Sequence, residues 1–202
     1  MLDKVFKNEV LKLYQAENWR ELLKLNENSD LSCAVKLLWV WPSEENLRFI
    51  KKIVEDSGCK GITSIGCGCG LLEWIISKST GLHVIGYEIN REWWTSKYSN
   101  PQFIKLQYCE KIQEGMFNSS HALLFCYFNN KVAFQDYIRA YKGNLVLIIG
   151  PGNGKGRHTD PEPFDPDFGS SRWTLKDYNE VKDSKDFIAV YTRCIKDSIM
   201  YK

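Results

Sequence analysis

The chain has 202 residues, the size of one α/β domain with extensions, which leaves little room for a second independent core. Apolar residues at 44% and aromatic residues at 13% exclude a disordered chain. The 27 Lys and Arg against 25 Asp and Glu give a net charge of +2 with no block of like charges, so the concentrated basic face of a dedicated duplex-binding protein is absent from the linear sequence.

The amino terminus is amphipathic and mixed in charge, without the continuous apolar stretch of a secretory signal. Leu2, Val5, Phe6, Val10, Leu13 and Tyr14 keep a three-to-four spacing that predicts a helix. Leu31, Ala34, Val35, Leu38 and Trp39 repeat that spacing after Ser29 and Asp30, which read as a helix start. Pro42 breaks the pattern, Ser43 caps a further helix carrying Leu47, Ile50 and Val54, and Gly58 ends it.

From residue 62 the period changes. β-type runs occupy 62–65, 83–87, 103–108, 122–128 and 144–149, and segments able to form helices lie at 71–79, 91–98 and 131–141. This alternation predicts a parallel sheet covered by helices. Beyond Ile149 come four glycines within 150–156, then Pro161, Pro163 and Pro166, and no helical period returns before Trp173. Segments 173–181 and 187–194 read as strands joined by a polar turn, an antiparallel pair closing the sheet. The expected organisation is one domain over 1–202: a helical cover at 1–41, a core at 42–150, and a loop with closing strands at 151–202.

No apolar run approaches the ~20 residues that span a bilayer, so a cytosolic or nuclear location is expected. Cysteines 33, 59, 67, 69, 109, 126 and 194 are scattered among mostly apolar neighbours, as reduced structural thiols would be. Cys67 and Cys69 are close in sequence, but no second ligand pair follows at a usable spacing, and no metal site is expected.

The most informative stretch is Ile62-Thr63-Ser64-Ile65-Gly66-Cys67-Gly68-Cys69-Gly70-Leu71-Leu72-Glu73-Trp74, which runs from strand through glycine turn into helix. Such a loop lets backbone approach a ligand closely, and the helix start supplies free N–H groups. G-x-G-x-x-G requires glycine at Leu71 or Glu73, depending on register, so the nicotinamide-dinucleotide fingerprint fails; no Gly-Lys-Ser or Gly-Lys-Thr follows, which excludes a P-loop. Glu88 ends the second strand, where a carboxylate can accept both hydroxyls of a ribose lying across the strand tips. The alternative is a tight turn beside a solvated surface acid.

On the residues SIGCGCGLLEW and GYEIN the sequence resembles the class I S-adenosylmethionine-dependent methyltransferases, firmly over 62–90 and in element order to about residue 194. The resemblance implies a Rossmann-like α/β fold with a mostly parallel sheet, an antiparallel closing hairpin, helices on both faces, and an amino-terminal helical extension. It implies S-adenosylmethionine as cofactor. Ile65, Gly66, Cys67, Gly68 and Gly70 would line the methionyl and ribose region, Glu88 would hold the ribose, Ile89 and Asn90 would flank the adenine, and Cys109 would lie near the adenine edge. Many members carry an acid two positions before the first glycine, where this chain has Ser64.

Transfer from a sulfonium chiefly requires alignment of a nucleophile and exclusion of water. A base, where needed, is expected after the fourth strand, and Tyr127 and Asn129 are the candidate substrate-facing residues there. Their alternative roles are packing for Tyr127 and helix capping for Asn129. The segment lacks the Asn/Asp-Pro-Pro-aromatic pattern of amine-methylating relatives, so a small-molecule or protein substrate is expected rather than nucleic acid. Lys155, Arg157 and His158 sit in the glycine-rich loop, which reads either as a lid or as a flexible connection. A non-catalytic binding module on the same fold is the competing function.

Overall fold

A computed structural model describes residues 4–27, 34–169 and 172–193. The elements in chain order are α1 (Lys4–Gln15), α2 (Trp19–Glu27), α3 (Glu44–Asp56), β1 (Gly61–Ile65), α4 (Leu71–Thr80), β2 (His83–Glu88), α5 (Arg91–Thr95), β3 (Gln107–Tyr108), β4 (His121–Cys126), α6 (Lys131–Ala140), β5 (Leu145–Pro151), β6 (Trp173–Val181) and β7 (Asp186–Arg193). The seven strands form one sheet in the order β3-β2-β1-β4-β5-β7-β6. β1 pairs in parallel with β2 and β4, β4 with β5, and β2 with β3, whereas β7 runs antiparallel to both β5 and β6. The chain order reverses between β1 and β4, and in open α/β sheets the crevice at the carboxyl ends of strands around such a point is where ligands bind.

The strands sort by alternation. Ile62, Ala122, Leu124, Leu147 and Ile149 face a cluster with Leu47, Ile50 and Val54 of α3, Leu72, Ile75 and Ile76 of α4, and Phe6, Val10 and Leu22 from α1 and α2. Ile65, Leu123, Phe125, Val146 and Ile148 face the other layer, which holds Phe134, Tyr137 and Ile138 of α6 with Phe168 and Trp173. Each fully buried aliphatic side chain contributes about 2 kcal/mol to holding these layers together. Helix ends follow local chemistry: the Ser43 hydroxyl accepts from Asn46 N–H and the Asn46 side chain accepts from Ser43 N–H, a capping box at the start of α3.

Several expectations are corrected. The second periodic stretch is helical only at Ala34 and Val35 among the described residues; a turn follows at 36–37, so Leu38 and Trp39 lie outside any helix. Ser29 and Asp30, Cys33 and Cys194 lie outside the described residues. α2 is a separate helix whose existence the spacing did not distinguish. The strand expected over 103–108 is reduced to two residues, because Phe103 N–H bonds the Cys69 carbonyl and its ring enters the core instead of joining the ladder. β4 stops at Cys126, since Tyr127 adopts φ +50° and its N–H turns to the Ile149 carbonyl at 2.8 Å.

Candidate functional site

The glycine turn between β1 and α4 is fastened to the tip of β2. Gly66 and Cys67 N–H both donate to the Tyr87 carbonyl, at 2.9 and 3.3 Å, and Gly70 N–H closes the turn on the Cys67 carbonyl. Gly68 and Gly70 have φ of +62° and +77°, a region L side chains rarely adopt. At Gly70 a Cβ would also overlap Ile104, whereas at Gly68 the nearest atom is the Trp94 ring at 3.8 Å, so the backbone there lies open to a neighbour. Gly70 is the N-cap of α4 and brings no side-chain bond to the helix start.

Glu88 meets this turn directly. Its Oε1 accepts Gly68 N–H at 2.6 Å and its Oε2 accepts Ile89 N–H at 3.3 Å. Burial pushes its carboxyl above the usual range, opposed by those two N–H groups and by the Trp94 side chain. Ile89 is exposed beyond it, and Asn90 caps α5 by accepting Trp93 N–H at 2.9 Å. Cys109 N–H bonds the Glu88 carbonyl at 2.9 Å, which sets the residue after β3 beside the same tip.

Not every residue singled out from the sequence faces this crevice. The Ile65 side chain is buried on the α6 side of the sheet, so only its backbone adjoins the turn. Cys67 directs its sulfur against Gly86, where a Cβ would overlap it, and burial pushes the Cys67 and Cys69 thiols up, Cys69 to about 12. Both thiols keep their protons at neutral pH, and Cys69 Sγ donates to the Leu37 carbonyl at 3.5 Å, fastening the 34–41 segment to the turn.

One residue of the site was missed. Glu73, in the first turn of α4, is 1% exposed and accepts the Ser64 hydroxyl on Oε1 at 2.6 Å. Its Oε2 is equally buried and has no hydrogen-bond partner among the described residues. Burial pushes this carboxyl up to about 7 against the opposing bonds from Ser64 and from backbone. The available signal was an acid inside Leu-Leu-Glu-Trp-Ile-Ile, where a charge breaks an otherwise apolar helix start.

At the end of β4 the Tyr127 hydroxyl donates to Asp186 Oδ1 at 2.6 Å, and Lys155 Nζ reaches Asp186 Oδ2 at 2.9 Å. Burial and that carboxylate push the phenol well above its usual range, so it holds its proton at neutral pH. Trp39 stacks on Tyr127 with centroids 5.3 Å apart at 10°, and the Arg157 guanidinium lies 5.4 Å from the Trp39 ring centre. Asn129 is exposed; the cap of α6 is Asn130, which accepts Ala133 N–H at 3.0 Å. The glycine-rich loop is fastened to this segment, with Asn130 N–H to the Asp160 carbonyl at 2.8 Å and Asp160 N–H to the Phe128 carbonyl at 3.2 Å. His158 pairs with Glu162 on the surface, and His83 and His121 meet edge to face at the opposite, amino ends of their strands.

No protein-family model matches the chain, and no curated protein does. Solved structures do. An O-methyltransferase from Bacillus cereus in complex with SAH is similar over 95% of this chain and 92% of its own, at 14% identity and a TM-score of 0.51. The chain has the class I methyltransferase fold. An RNA methyltransferase from Salinibacter ruber in complex with S-adenosylhomocysteine also matches, over 77% of this chain and 94% of its own, at 11% identity and a TM-score of 0.46. Within the methyltransferase fold the glycine turn, Glu88 and Tyr127 all stand at the carboxyl edge of the sheet, at the ends of β1, β2 and β4. No helix among the described residues is long and apolar enough to cross a membrane.

Proposed function

We propose that the chain is an S-adenosylmethionine-dependent methyltransferase acting on a small molecule or a protein. The observation that carries this reading is the Glu88 carboxylate, held 2.6 Å from the Gly68 N–H at the tip of β2, beside a turn whose Gly68 backbone no side chain crowds. The residues fit the cofactor. Gly68 offers bare backbone between the tighter turns at Gly66 and Gly70, Glu88 is an acceptor for paired hydroxyls, exposed Ile89 offers an apolar surface for a base, and Asn90 and Cys109 shape the rim on either side. When bound, the cofactor supplies a methyl group made electrophilic by its sulfonium.

The remaining work falls to the chain. Trp39, placed by the Cys69 to Leu37 bond and by its stack on Tyr127, presents a half-exposed aromatic face beside the end of β4. Tyr127, keeping its proton on the bond to Asp186, positions Trp39 by stacking instead of removing a proton. Asn129, exposed next to it, is the polar group free to reach a substrate. Isothermal titration with S-adenosylmethionine and S-adenosylhomocysteine tests cofactor binding, and labelled methyl incorporation into separate protein, RNA and metabolite fractions identifies the acceptor. A second reading, a binding module without turnover, draws on the engagement of the Tyr127 hydroxyl by Asp186. Cofactor binding without incorporation into any fraction would favour it.

A further inference from the structure

Among the described residues Glu73 is a buried acid with no cation to match it. Its Oε1 takes the Ser64 hydroxyl from β1; the thiols of Cys67, Cys69 and Cys126 feel its charge, and the one other ionisable group acting on it is a second carboxylate, Glu88. Ser64 satisfies one oxygen, and the other is buried without a partner. A carboxylate in that state costs free energy unless a positive group arrives. The first turn of α4, whose dipole favours an anion, is where such a group is least expensive to keep. An apolar residue would pack there at no electrostatic cost, as Leu71, Leu72 and Trp74 do beside it.

Resting on the methyltransferase reading, we infer that Glu73 is the counter-charge for a cationic group of the ligand held at the glycine turn, so that cofactor binding is coupled to ionisation of this carboxyl. In the free protein the carboxyl is half-protonated near neutrality, being pushed up to about 7 by burial. Arrival of the cation favours the anion and expels the proton. S-adenosylmethionine carries two positive groups, the ammonium and the sulfonium, and S-adenosylhomocysteine carries only the first.

The test is isothermal titration of the full chain with S-adenosylmethionine near pH 6 and near pH 8, each in two buffers of different ionisation heat. Wild type should bind about tenfold more weakly at the lower pH and release about one proton per ligand there. Glu73→Gln, which keeps an acceptor for Ser64, should bind equally at both pH values, more weakly than wild type does even at the lower one, with no proton release. If S-adenosylhomocysteine shows the same pH dependence, the ammonium is the partner; if it shows none, the sulfonium is. Equal affinities at both pH values with no proton release by wild type would overturn the assignment even if the variant fails to fold. Absence of binding by wild type at either pH would overturn the methyltransferase reading and this assignment with it.

Discussion

Glu73→Gln should change how the stability of the free protein depends on pH. The Glu73 carboxyl moves from 4.5 to about 7 on folding, chiefly through burial. Below the lower value both native and unfolded chains hold the proton, and the acid carries no penalty. Between the two values the unfolded chain ionises while the native chain keeps its proton, so stability falls as pH rises; above the upper value the loss is complete. A shift of this size corresponds to about 3 kcal/mol, of which about 2.5 kcal/mol develops between pH 5 and pH 8. Glutamine has no proton to lose. Urea denaturation of wild type and variant across this range should therefore show a stability difference that swings toward the variant by about 2.5 kcal/mol with rising pH. Any constant offset reflects the amide donor placed where Oε2 has no partner, and does not bear on the slope. A difference independent of pH would refute the placement of Glu73 as an uncompensated buried acid.

Other perturbations separate the parts of the site. Glu88→Ala should weaken S-adenosylmethionine binding by about 1.5 to 3 kcal/mol with little change in melting temperature, measured by titration and by calorimetric scan. Gly70→Val, forced into φ +77° against Ile104, should lose about 2 kcal/mol or more of stability in urea. Asp186→Asn should let Tyr127 ionise at lower pH than in wild type, followed by ultraviolet titration, because the carboxylate adds to burial in raising the phenol. His158→Ala should leave stability within about 0.5 kcal/mol in the same denaturation assay, since its pair with Glu162 is exposed.

The parallel sheet was legible because strands in a parallel core need continuous apolar runs, and 62–65, 83–87 and 144–149 carry them with glycines at the turns between. Trp173–Val181 matched its strand to the residue. The boundary of β4 was not legible, since nothing in Phe125-Cys126-Tyr127-Phe128 announces that Tyr127 leaves the strand to satisfy Ile149 and Asp186. The fate of Phe103 was hidden for a similar reason, as one aromatic residue serves a core or a strand equally well until its N–H finds Cys69. In the site, Gly66 to Gly70 and Glu88 could be paired by spacing alone. Ser64 read as the loss of an acid, whereas the fold brings Glu73 to it from the first turn of α4, nine residues on, a meeting that only the turn between them creates. Trp39 and Asp186 join Tyr127 from distant parts of the chain and left no local signature.

The central claim is that this crevice takes S-adenosylmethionine. The most direct measurement is the heat of mixing the cofactor with the full wild-type chain. Saturable one-to-one binding, competed by S-adenosylhomocysteine and unaffected by NAD, is the predicted result; no heat and no thermal shift at millimolar cofactor would contradict it.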